Sequence, residues 1–270
     1  MGLDSYSYLS EDTFKLYEGD SLELLDLLDE NSIDMIFADP PYFLSDGGFT
    51  CSSGRFASVD KADWDKSMEI ENVFEFNYEW LKKCKRVLKE NGSIWVSGTH
   101  HNIFTVGYAL QKLEYKVLNN ITWFKPNAPP NLSCRYFTHS TETVVWARKN
   151  DKSKHTFNYK DMRELNGGKQ MRDVWDYPKS EVPDYWRIPL TPKREKECGK
   201  FPTQKPLQLL ERIIKASTNE GDIVLDPFNG SGTTGVAAAM HGRKYVGIDK
   251  EKEYLDITKC RYNKIQNKQE

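Results

Sequence analysis

Apolar stretches of two kinds alternate along most of the chain. Runs such as 33–38 and 93–97 have the length of a strand and are rich in Ile, Val and aromatic residues. Other stretches, including 74–88, place apolar residues three or four positions apart, which is typical of a helix with one buried face. This alternation predicts an α/β protein in which helices cover a parallel sheet.

The individual elements follow from the same spacing and from turn residues between the runs. Asn91-Gly92 is expected to end the helix over 74–88. The predicted helices cover 74–88 and begin at Ser21 and about Thr233, and the predicted strands are 13–18, 33–38, 93–97, 117–123, 143–147, 223–226 and 245–249.

Two segments break this rhythm. Residues 43–65 are polar and rich in Gly and Ser, as expected of a mobile loop beside a site. Residues 150–201 are rich in Lys, Pro, Tyr and Trp and show weak periodicity, which indicates an insertion. An ordinary long connection has the same weak periodicity.

Charge is distributed unevenly. The net charge of the 270 residues is −2, yet 148–205 holds 15 Lys and Arg against 9 Asp and Glu. A confined electropositive face explains this surplus, and so does a solvated, charge-rich insertion.

The five cysteines are scattered, without a CxxC pair or the spacing of metal ligands. They are interpreted as reduced thiols of a cytoplasmic protein. No apolar run reaches membrane-spanning length, and the first ten residues do not resemble a signal peptide. We expect neither a membrane segment nor a bound metal.

A Gly-rich turn follows the strand 223–226. Residues 225–235 read Leu-Asp-Pro-Phe-Asn-Gly-Ser-Gly-Thr-Thr-Gly and lead into a helix, whose unpaired N–H groups suit a nucleotide cofactor. Asp249 ends the next strand, where its carboxylate could accept both ribose hydroxyls. The turn also matches the dinucleotide fingerprint, so a nicotinamide or flavin enzyme stays open, as does a turn without a ligand.

Asp39-Pro40-Pro41-Tyr42 follows another buried strand. The prolines remove two N–H donors, which leaves carbonyls and the Asp39 carboxylate as acceptors beside an aromatic ring. An exocyclic amine fits this arrangement, with N–H bonds to Asp39 and the Pro40 carbonyl and with Tyr42 stacked on the base. A Pro-Pro turn that merely caps the strand is the alternative.

Such acceptors would stabilise the positive charge that develops on an amine as it takes up a methyl group. Neither a metal nor a covalent nucleophile is needed. A duplex hides an exocyclic amine, so the base must be extruded, which costs about a few kcal/mol.

With both motifs, the chain resembles the β-class amino-methyltransferases of bacterial restriction–modification systems. In that family the catalytic tetrapeptide comes first, a target-recognition insertion follows, and the cofactor motif comes last, as here. The resemblance implies a Rossmann-like, circularly permuted S-adenosylmethionine-dependent methyltransferase fold with an inserted target-recognition region. It implies a catalytic half at 1–149, a target-recognition insertion at 150–200 and a cofactor-binding half at 201–270.

The resemblance also implies the roles of individual residues. Thr203 and Lys205 of Pro-Thr-Gln-Lys-Pro would contact the methionine end of the cofactor, and Asp20 the adenine amine. Phe201 stands where the family usually has His, and Asp249 where it often has Glu. The implied cofactor residues are Asp20, Thr203, Lys205, Asp226, Phe228, Asn229, Gly230, Ser231, Gly232, Thr233 and Asp249, and the implied catalytic residues are Asp39, Pro40, Pro41 and Tyr42.

Asp at position 39 implies adenine as the target, because enzymes that make N4-methylcytosine more often have Ser there. The segments 41–45, 129–142 and 166–171 resemble adenine methyltransferases that protect GATC in Dpn-type systems. The resemblance further implies action on double- or single-stranded DNA, a homodimer, and a cognate restriction endonuclease without a stable complex.

Polar and basic side chains that could contact DNA lie in the insertion and before the strand 143–147. A methyltransferase for RNA, cytosine N4 or a protein amide, an NAD-dependent oxidoreductase, and an inactive DNA-binding subunit are the alternative functions. The candidate DNA contacts are Arg135, Tyr136, His139, Lys169, Gln170, Arg172, Arg187 and Arg194.

Overall fold

The computed structural model describes residues 2–43, 49–52, 55–58, 69–175 and 188–269. The strands are β1 (Ser7–Ser10), β2 (Phe14–Glu18), β3 (Ile33–Ala38), β4 (Phe49–Ser52), β5 (Arg55–Ser58), β6 (Leu88–Gly98), β7 (Lys116–Phe124), β8 (Thr141–Arg148), β9 (Val174–Trp175), β10 (Ile223–Asp226) and β11 (Lys244–Asp249). The helices are α1 (Ser21–Leu27), α2 (Ile70–Val87), α3 (Ile103–Lys112), α4 (Tyr159–Leu165), α5 (Leu207–Ser217), α6 (Thr233–Met240) and α7 (Lys252–Gln269).

Nine strands form one sheet in the order β1-β2-β11-β10-β3-β6-β8-β7-β9. The central strands β2, β11, β10, β3 and β6 are parallel, whereas β1 is antiparallel to β2 and β8 is antiparallel to both of its neighbours. The predicted parallel sheet is thus present in the five central strands, and the pairing differs from it at β1 and β8. β1 leads directly into β2, and β7 leads directly into β8. Neither connection contains a crossover helix, so the strands of each pair run antiparallel.

Helices cover both faces of the sheet. One buried cluster packs α1, α2 and α3 against the face that carries Ile36 and Ile94. The other packs α5, α6 and α7 against the face that carries Met35 and Trp95. Successive residues of a strand point to opposite faces, so both faces of these central strands must be apolar, as their sequences are.

The parallel pairing of β3 with β10 sets the position of the two motifs. Val224 lies opposite Met35 and Leu225 opposite Ile36. The carboxyl ends of both strands therefore reach the same edge of the sheet, where ligands of open α/β sheets bind. Gly98 at the end of β6 pairs with Thr143 of antiparallel β8, so the beginning of β8 lies at this edge too.

The predicted end of the second helix is wrong. α2 ends at Val87, and Asn91-Gly92 lies inside β6. Leu88 is fully buried and pairs with Ile33, so the chain enters the sheet without a turn. A Cβ on Gly92 would lie 2.7 Å from Leu88 Cδ1, and this glycine serves close packing within the strand rather than a helix cap.

The segment 43–65, expected to be a mobile loop, contains the antiparallel pair β4 and β5. The alternation of Phe49, Cys51 and then Phe56 with polar neighbours is compatible with strands, and the Gly and Ser residues concealed it. The rest of this segment beyond Phe43 lies outside the described residues.

The expectation of reduced cysteines is wrong for two of the five. Cys198 and Cys260 form a disulfide whose Cα atoms are 5.9 Å apart. Spacing along the sequence could not reveal it, because α7 returns to the segment before Phe201 only in the folded chain. Cys84 is buried and Cys134 is exposed, both as free thiols.

The described part of 150–200 is attached to the rest of the fold. Met162 of α4 is 2% exposed, and Asn158 Nδ2 donates to the carbonyls of Lys215 and Thr218 at the end of α5. β9 extends the sheet beside β7. Ile188 is fully buried and its carbonyl accepts Trp123 Nε1 at 2.8 Å. The boundaries at 150 and 200 stay a prediction.

A buried carboxylate joins β10 to α6. Asp226 Oδ2 accepts the Thr234 hydroxyl at 2.6 Å, and Oδ1 accepts the Phe228 N–H at 3.0 Å. Burial raises the pKa of Asp226 to about 7, although these two hydrogen bonds oppose the rise and the charges of Asp39 and Asp249 add to it. The folded protein therefore binds a proton at Asp226 more tightly than the unfolded chain does.

Asp226→Asn should change how stability depends on pH. The pKa of Asp226 rises from its ordinary value of 3.8 to about 7 on folding, so the free energy of unfolding should fall as the pH rises between these values. The asparagine Oδ1 can still accept the Phe228 N–H, and its Nδ2 can donate to the Thr234 hydroxyl instead of accepting from it, without this penalty. Denaturant unfolding of both proteins should give a difference in favour of Asp226→Asn that grows from about pH 4 to about pH 7 and then levels off. Parallel stability curves would contradict a buried, titrating Asp226.

Candidate active site

A cavity of about 300 Å³ opens at the carboxyl edge of the sheet, between the ends of β3 and β10. Both motifs line it. The residues from the predicted catalytic and cofactor sets that line it are Asp20, Asp39, Pro40, Pro41, Tyr42, Thr203, Lys205, Asp226, Phe228, Asn229, Gly230, Ser231, Thr233 and Asp249. Of the two predicted sets, Gly232 alone is not part of the wall.

The Asp39 carboxylate is held by three donors. Oδ1 accepts the Tyr42 hydroxyl at 2.6 Å and the Ser97 hydroxyl at 2.7 Å, and Oδ2 accepts Lys205 Nζ at 2.5 Å. Ser97 comes from β6, the neighbour of β3, so two adjacent strand ends meet at this carboxylate. Tyr42 is 7% exposed, and burial together with the nearby carboxylates of Asp39 and Glu142 raises its pKa well above the ordinary range. Tyr42 is therefore a neutral hydrogen-bond donor to Asp39.

Lys205 and Asp39 belong to a row of buried charges. Lys205 Nζ lies 3.8 Å from Glu142 Oε2, and Glu142 Oε1 lies 3.0 Å from Lys125 Nζ. Burial alone would lower the pKa of Lys205, but the carboxylates of Asp39 and Glu142 outweigh it and the pKa is raised. Lys205 is thus an ammonium ion at neutral pH.

Phe43 has a strained backbone beside this site. Its φ of 56° lies in the left-handed region, which bulky residues rarely adopt. The ring makes an edge contact with Phe76 of α2, at 5.5 Å between centroids, and both rings line the cavity. The strain coincides with the point where the chain leaves the catalytic tetrapeptide.

The Gly-rich turn is shaped by two glycines with positive φ. Gly230 has φ 50°, its N–H donates to Asp249 Oδ2 at 2.7 Å, and a Cβ there would lie 2.8 Å from the Phe201 ring. Gly232 has φ 69°, and a Cβ there would lie 2.3 Å from Thr258 of α7. Gly232 therefore packs closely against α7, and its contact with a ligand stays a prediction.

Buried polar side chains hold this turn from behind. Arg261 of α7 donates to the Ser231 carbonyl at 2.7 Å and to the Thr233 hydroxyl at 2.8 Å. Asn229 accepts the Tyr245 hydroxyl at 2.8 Å and donates to the Thr258 hydroxyl at 2.9 Å. The Ser231 hydroxyl also accepts from Arg261, at 3.3 Å. The side chains of Asn229 and Ser231 thus bind protein groups, and the turn is organised in advance of any ligand.

The polar groups on the wall fit S-adenosylmethionine. Asp249 Oδ1 accepts Glu251 N–H and Oδ2 accepts Gly230 N–H, and each carboxylate oxygen can accept a second hydrogen bond, from a ribose hydroxyl. Burial raises the pKa of Asp249 to about 6, against the opposing backbone hydrogen bonds, so the carboxylate is ionised above that pH. Asp20, which caps α1 by accepting the Leu22 N–H, also lies on the cavity wall.

The candidate DNA contacts form two described groups. Arg135, Tyr136 and His139 are exposed on the connection between β7 and β8, and His139 stacks on His100 at 4.6 Å between ring centroids. Lys169, Gln170, Arg172 and Arg194 are exposed in the described parts of 150–200, and Arg187 lies outside the described residues. The structure records no contact that joins the two groups.

Sequence reasoning missed several residues of the site. Ser97 lies near the carboxyl end of β6, the neighbour of β3. The order of the strands brings it beside Asp39, and the sequence alone does not supply that order. Glu142 entered the sequence analysis only as the last residue of the segment 129–142. No local pattern marks a carboxylate whose partner, Lys205, is distant along the chain. The aromatic wall residues Phe76 of α2 and Tyr254 of α7 belong to no motif, so the sequence did not mark them.

Comparisons with known proteins agree with this geometry. A profile of the DNA methylase family of N6- and N4-methyltransferases matches residues 33–260. The Type II methyltransferase M2.LlaDCHI of Lactococcus lactis subsp. cremoris is 57% identical over 258 residues, which cover 95% of this chain and 92% of that protein. The Type II methyltransferase M2.DpnII of Streptococcus pneumoniae is 56% identical over 255 residues, 94% of this chain and 91% of that protein.

A solved structure shares the fold and contains the cofactor. The crystal structure of the M1.HpyAVI–SAM complex superimposes with a TM-score of 0.63 at 27% identity, over 93% of this chain and 99% of that one. Because the family profile spans most of the chain and the relatives are more than half identical over nearly their whole length, the chain belongs to the S-adenosylmethionine-dependent DNA methylase family of N6- and N4-methyltransferases.

Proposed function

We propose that this methyltransferase modifies the N6 amine of an adenine extruded from DNA, within the sequence GATC, and so protects host DNA in a restriction–modification system. The observation that carries the proposal is the position of the Asp39 carboxylate. It stands on the wall of the cavity that the Gly-rich turn also lines, with its orientation held by Tyr42, Ser97 and Lys205.

The residues act on the amine as acceptors. Asp39 and the Pro40 carbonyl each take one N–H, which favours a tetrahedral nitrogen and stabilises its developing positive charge. When bound, S-adenosylmethionine supplies a methyl group whose carbon–sulfur bond breaks as the bond to nitrogen forms, and the sulfur keeps the electron pair. The proton that the nitrogen loses leaves by way of Asp39 to solvent. Orientation of the two reactants in one cavity contributes further, on the order of 7 kcal/mol or more in favourable cases.

Chemistry of other classes has less support. Among the described residues, no group of His, Cys, Asp and Glu is arranged to hold a metal ion. Within the same residues, every helix is too short or too polar to cross a bilayer. The carboxylate at position 39 supports adenine over cytosine, in line with the family resemblance.

The DNA face that we propose surrounds the cavity. β7 runs parallel to β6 in the sheet, so the connection from β7 to β8 leaves at the carboxyl edge and carries Arg135, Tyr136 and His139 there. β9 of the basic segment pairs with β7 at Thr122 and Trp123, near the carboxyl end of that strand. Phosphate contacts would come from exposed Arg and Lys, and base contacts from a few of them. The homodimer and the cognate endonuclease remain predictions that rest on the resemblance. The cytoplasmic location remains a prediction that rests on the cysteine pattern and on the sequence of the first ten residues.

Asp39→Asn and Asp249→Asn should separate catalysis from cofactor binding. Asp39→Asn loses an anionic acceptor and should slow methyl transfer about 100- to 1000-fold while S-adenosylmethionine binding stays near that of the wild type. Asp249→Asn should weaken that binding about 10- to 100-fold, through loss of a charged hydrogen-bond partner. Single-turnover transfer and calorimetry measure the two effects. Full transfer by Asp39→Asn would refute its role as acceptor.

The substrate should be adenine in GATC. Labelled methyl transfer to duplexes and single strands that differ only in this site, followed by nucleoside analysis, should yield N6-methyladenine from GATC substrates alone. Methylation of adenine in other sequences would support the proposed reaction and refute GATC as the recognition sequence. Transfer to RNA but not to DNA would overturn the proposed substrate, and N4-methylcytosine would overturn the proposed base.

Exposed arginines of the basic segment should contribute phosphate contacts. Arg172→Ala and Arg194→Ala should each weaken DNA binding and reduce the slope of log K against log salt by about 1. Lys112→Ala, at the opposite end of α3 from the cavity edge, serves as the matched control and should leave the slope unchanged. Unchanged slopes for both arginine variants would exclude this segment as the DNA face.

A further inference from the structure

Four buried charges of alternating sign lead from the sheet to the acceptor of the target amine. They are Lys125, Glu142, Lys205 and Asp39, and none of their side chains is more than 14% exposed. Their sum is zero, which is the condition under which such charges persist away from water. Removal of any one of them leaves a net charge beside the reacting nitrogen.

Lys205 restricts how Asp39 can receive an amine. A carboxylate oxygen offers about two lone pairs, and Tyr42 and Ser97 occupy those of Oδ1. Lys205 occupies one on Oδ2. One lone pair of Oδ2 therefore remains for an N–H of the base, and its direction is set by the ammonium group beside it.

We propose that Lys205 is a positioning residue, which fixes the orientation of the Asp39 carboxylate, and that Glu142 balances the charge of Lys205 so that the ammonium group does not oppose the positive charge developing on the amine. This inference rests on the proposed role of Asp39 as the amine acceptor. It assigns Lys205 to the catalytic carboxylate rather than to the methionine end of the cofactor.

The surroundings of Asp39 explain why a cation is required there. Glu142 of β8 acts on this region as a like charge, and Asp226 of β10 adds another above its pKa of about 7. Tyr42 is neutral, and Lys125 is separated from Asp39 by Glu142 and Lys205. Without the Lys205 ammonium, a buried carboxylate among others takes up a proton more readily and then accepts an N–H poorly.

The backbone shows that Lys205 is held in place. Its carbonyl accepts the Thr233 hydroxyl at 3.2 Å, and Arg261 donates to the same hydroxyl. The Lys205 ammonium lies 3.2 Å from the Tyr42 hydroxyl and 5.3 Å from the centre of its ring. The start of α6 thus holds the backbone of Lys205, and the catalytic tetrapeptide holds its ammonium group.

Lys205→Met and Glu142→Gln should shift the pH dependence of catalysis in opposite directions. In Lys205→Met, single-turnover methyl transfer at pH 7 should fall about tenfold or more, and the acid limb of the pH–rate profile should move up by about one unit or more. In Glu142→Gln, a repelling charge is lost and the acid limb should move down, while the maximal rate falls because Lys205 is unbalanced. S-adenosylmethionine affinity should stay within about threefold in both.

Three controls make the result decisive. Lys205→Arg restores the cation and should return the acid limb toward that of the wild type, even if Lys205→Met folds poorly. Lys200→Met, an exposed lysine of the same segment, should leave the profile in place. Asp39→Asn tests the proposed function on which this inference rests. If that variant were fully active, Asp39 would not be the amine acceptor, and the role of Lys205 in positioning it would be refuted as well.

A result that contradicts the role of Lys205 can be distinguished from one that contradicts the role of Asp39. If Asp39→Asn is inactive but Lys205→Met weakens S-adenosylmethionine binding tenfold or more with an unmoved acid limb, Lys205 is a cofactor ligand and the inference is wrong. Shifts of the same sign in Lys205→Met and Glu142→Gln would equally overturn it, because opposite charges cannot then be acting on one titrating carboxylate.

Discussion

The parallel pairing of β3 with β10 is the constraint on which the active site depends. These strands come from opposite ends of the chain, yet their register brings both carboxyl ends to one edge of the sheet. The Asp-Pro-Pro-Tyr tetrapeptide leaves from one strand and the Gly-rich turn from the other, so a single cavity has both on its wall. A slip of one residue would turn Met35 and Ile36 to the wrong helix layers, and the apolar cores on both faces oppose it.

Electrostatics then determines what the cavity can do. Several carboxylates converge on the sheet edge, and each has its own partner: Asp39 has Lys205, Asp226 has Thr234, and Asp249 has the backbone of the turn. Burial raises the pKa of Asp226 to about 7 and that of Asp249 to about 6, whereas Asp39 is the one of these three carboxylates that is paired with a cation. The site thus concentrates its anionic acceptor at the place where positive charge develops.

The sequence predicted the central strands, because their two-sided burial leaves continuous apolar runs, and both motifs, because short-range backbone chemistry marks them. The reversed β8 and the strand over Asn91-Gly92 were not predictable, since they depend on neighbours distant along the chain. The same holds for Ser97 and Glu142 at the site. Sequence placed Lys205 at the cofactor only by resemblance, and its contact with Asp39 required the folded geometry. The Cys198–Cys260 pair likewise needs α7 in place.

The most direct test of the central claim is a crystal structure of the enzyme with a GATC duplex and a cofactor analogue that has no transferable methyl group. The quantity to measure is the distance from N6 of the extruded adenine to the two carboxylate oxygens of Asp39. We predict that Oδ2 lies about 2.6–3.2 Å from N6, while Oδ1 keeps Tyr42 and Ser97. An adenine in the cavity whose amine is beyond hydrogen-bond reach of Asp39, or a target base that remains stacked, would contradict the account.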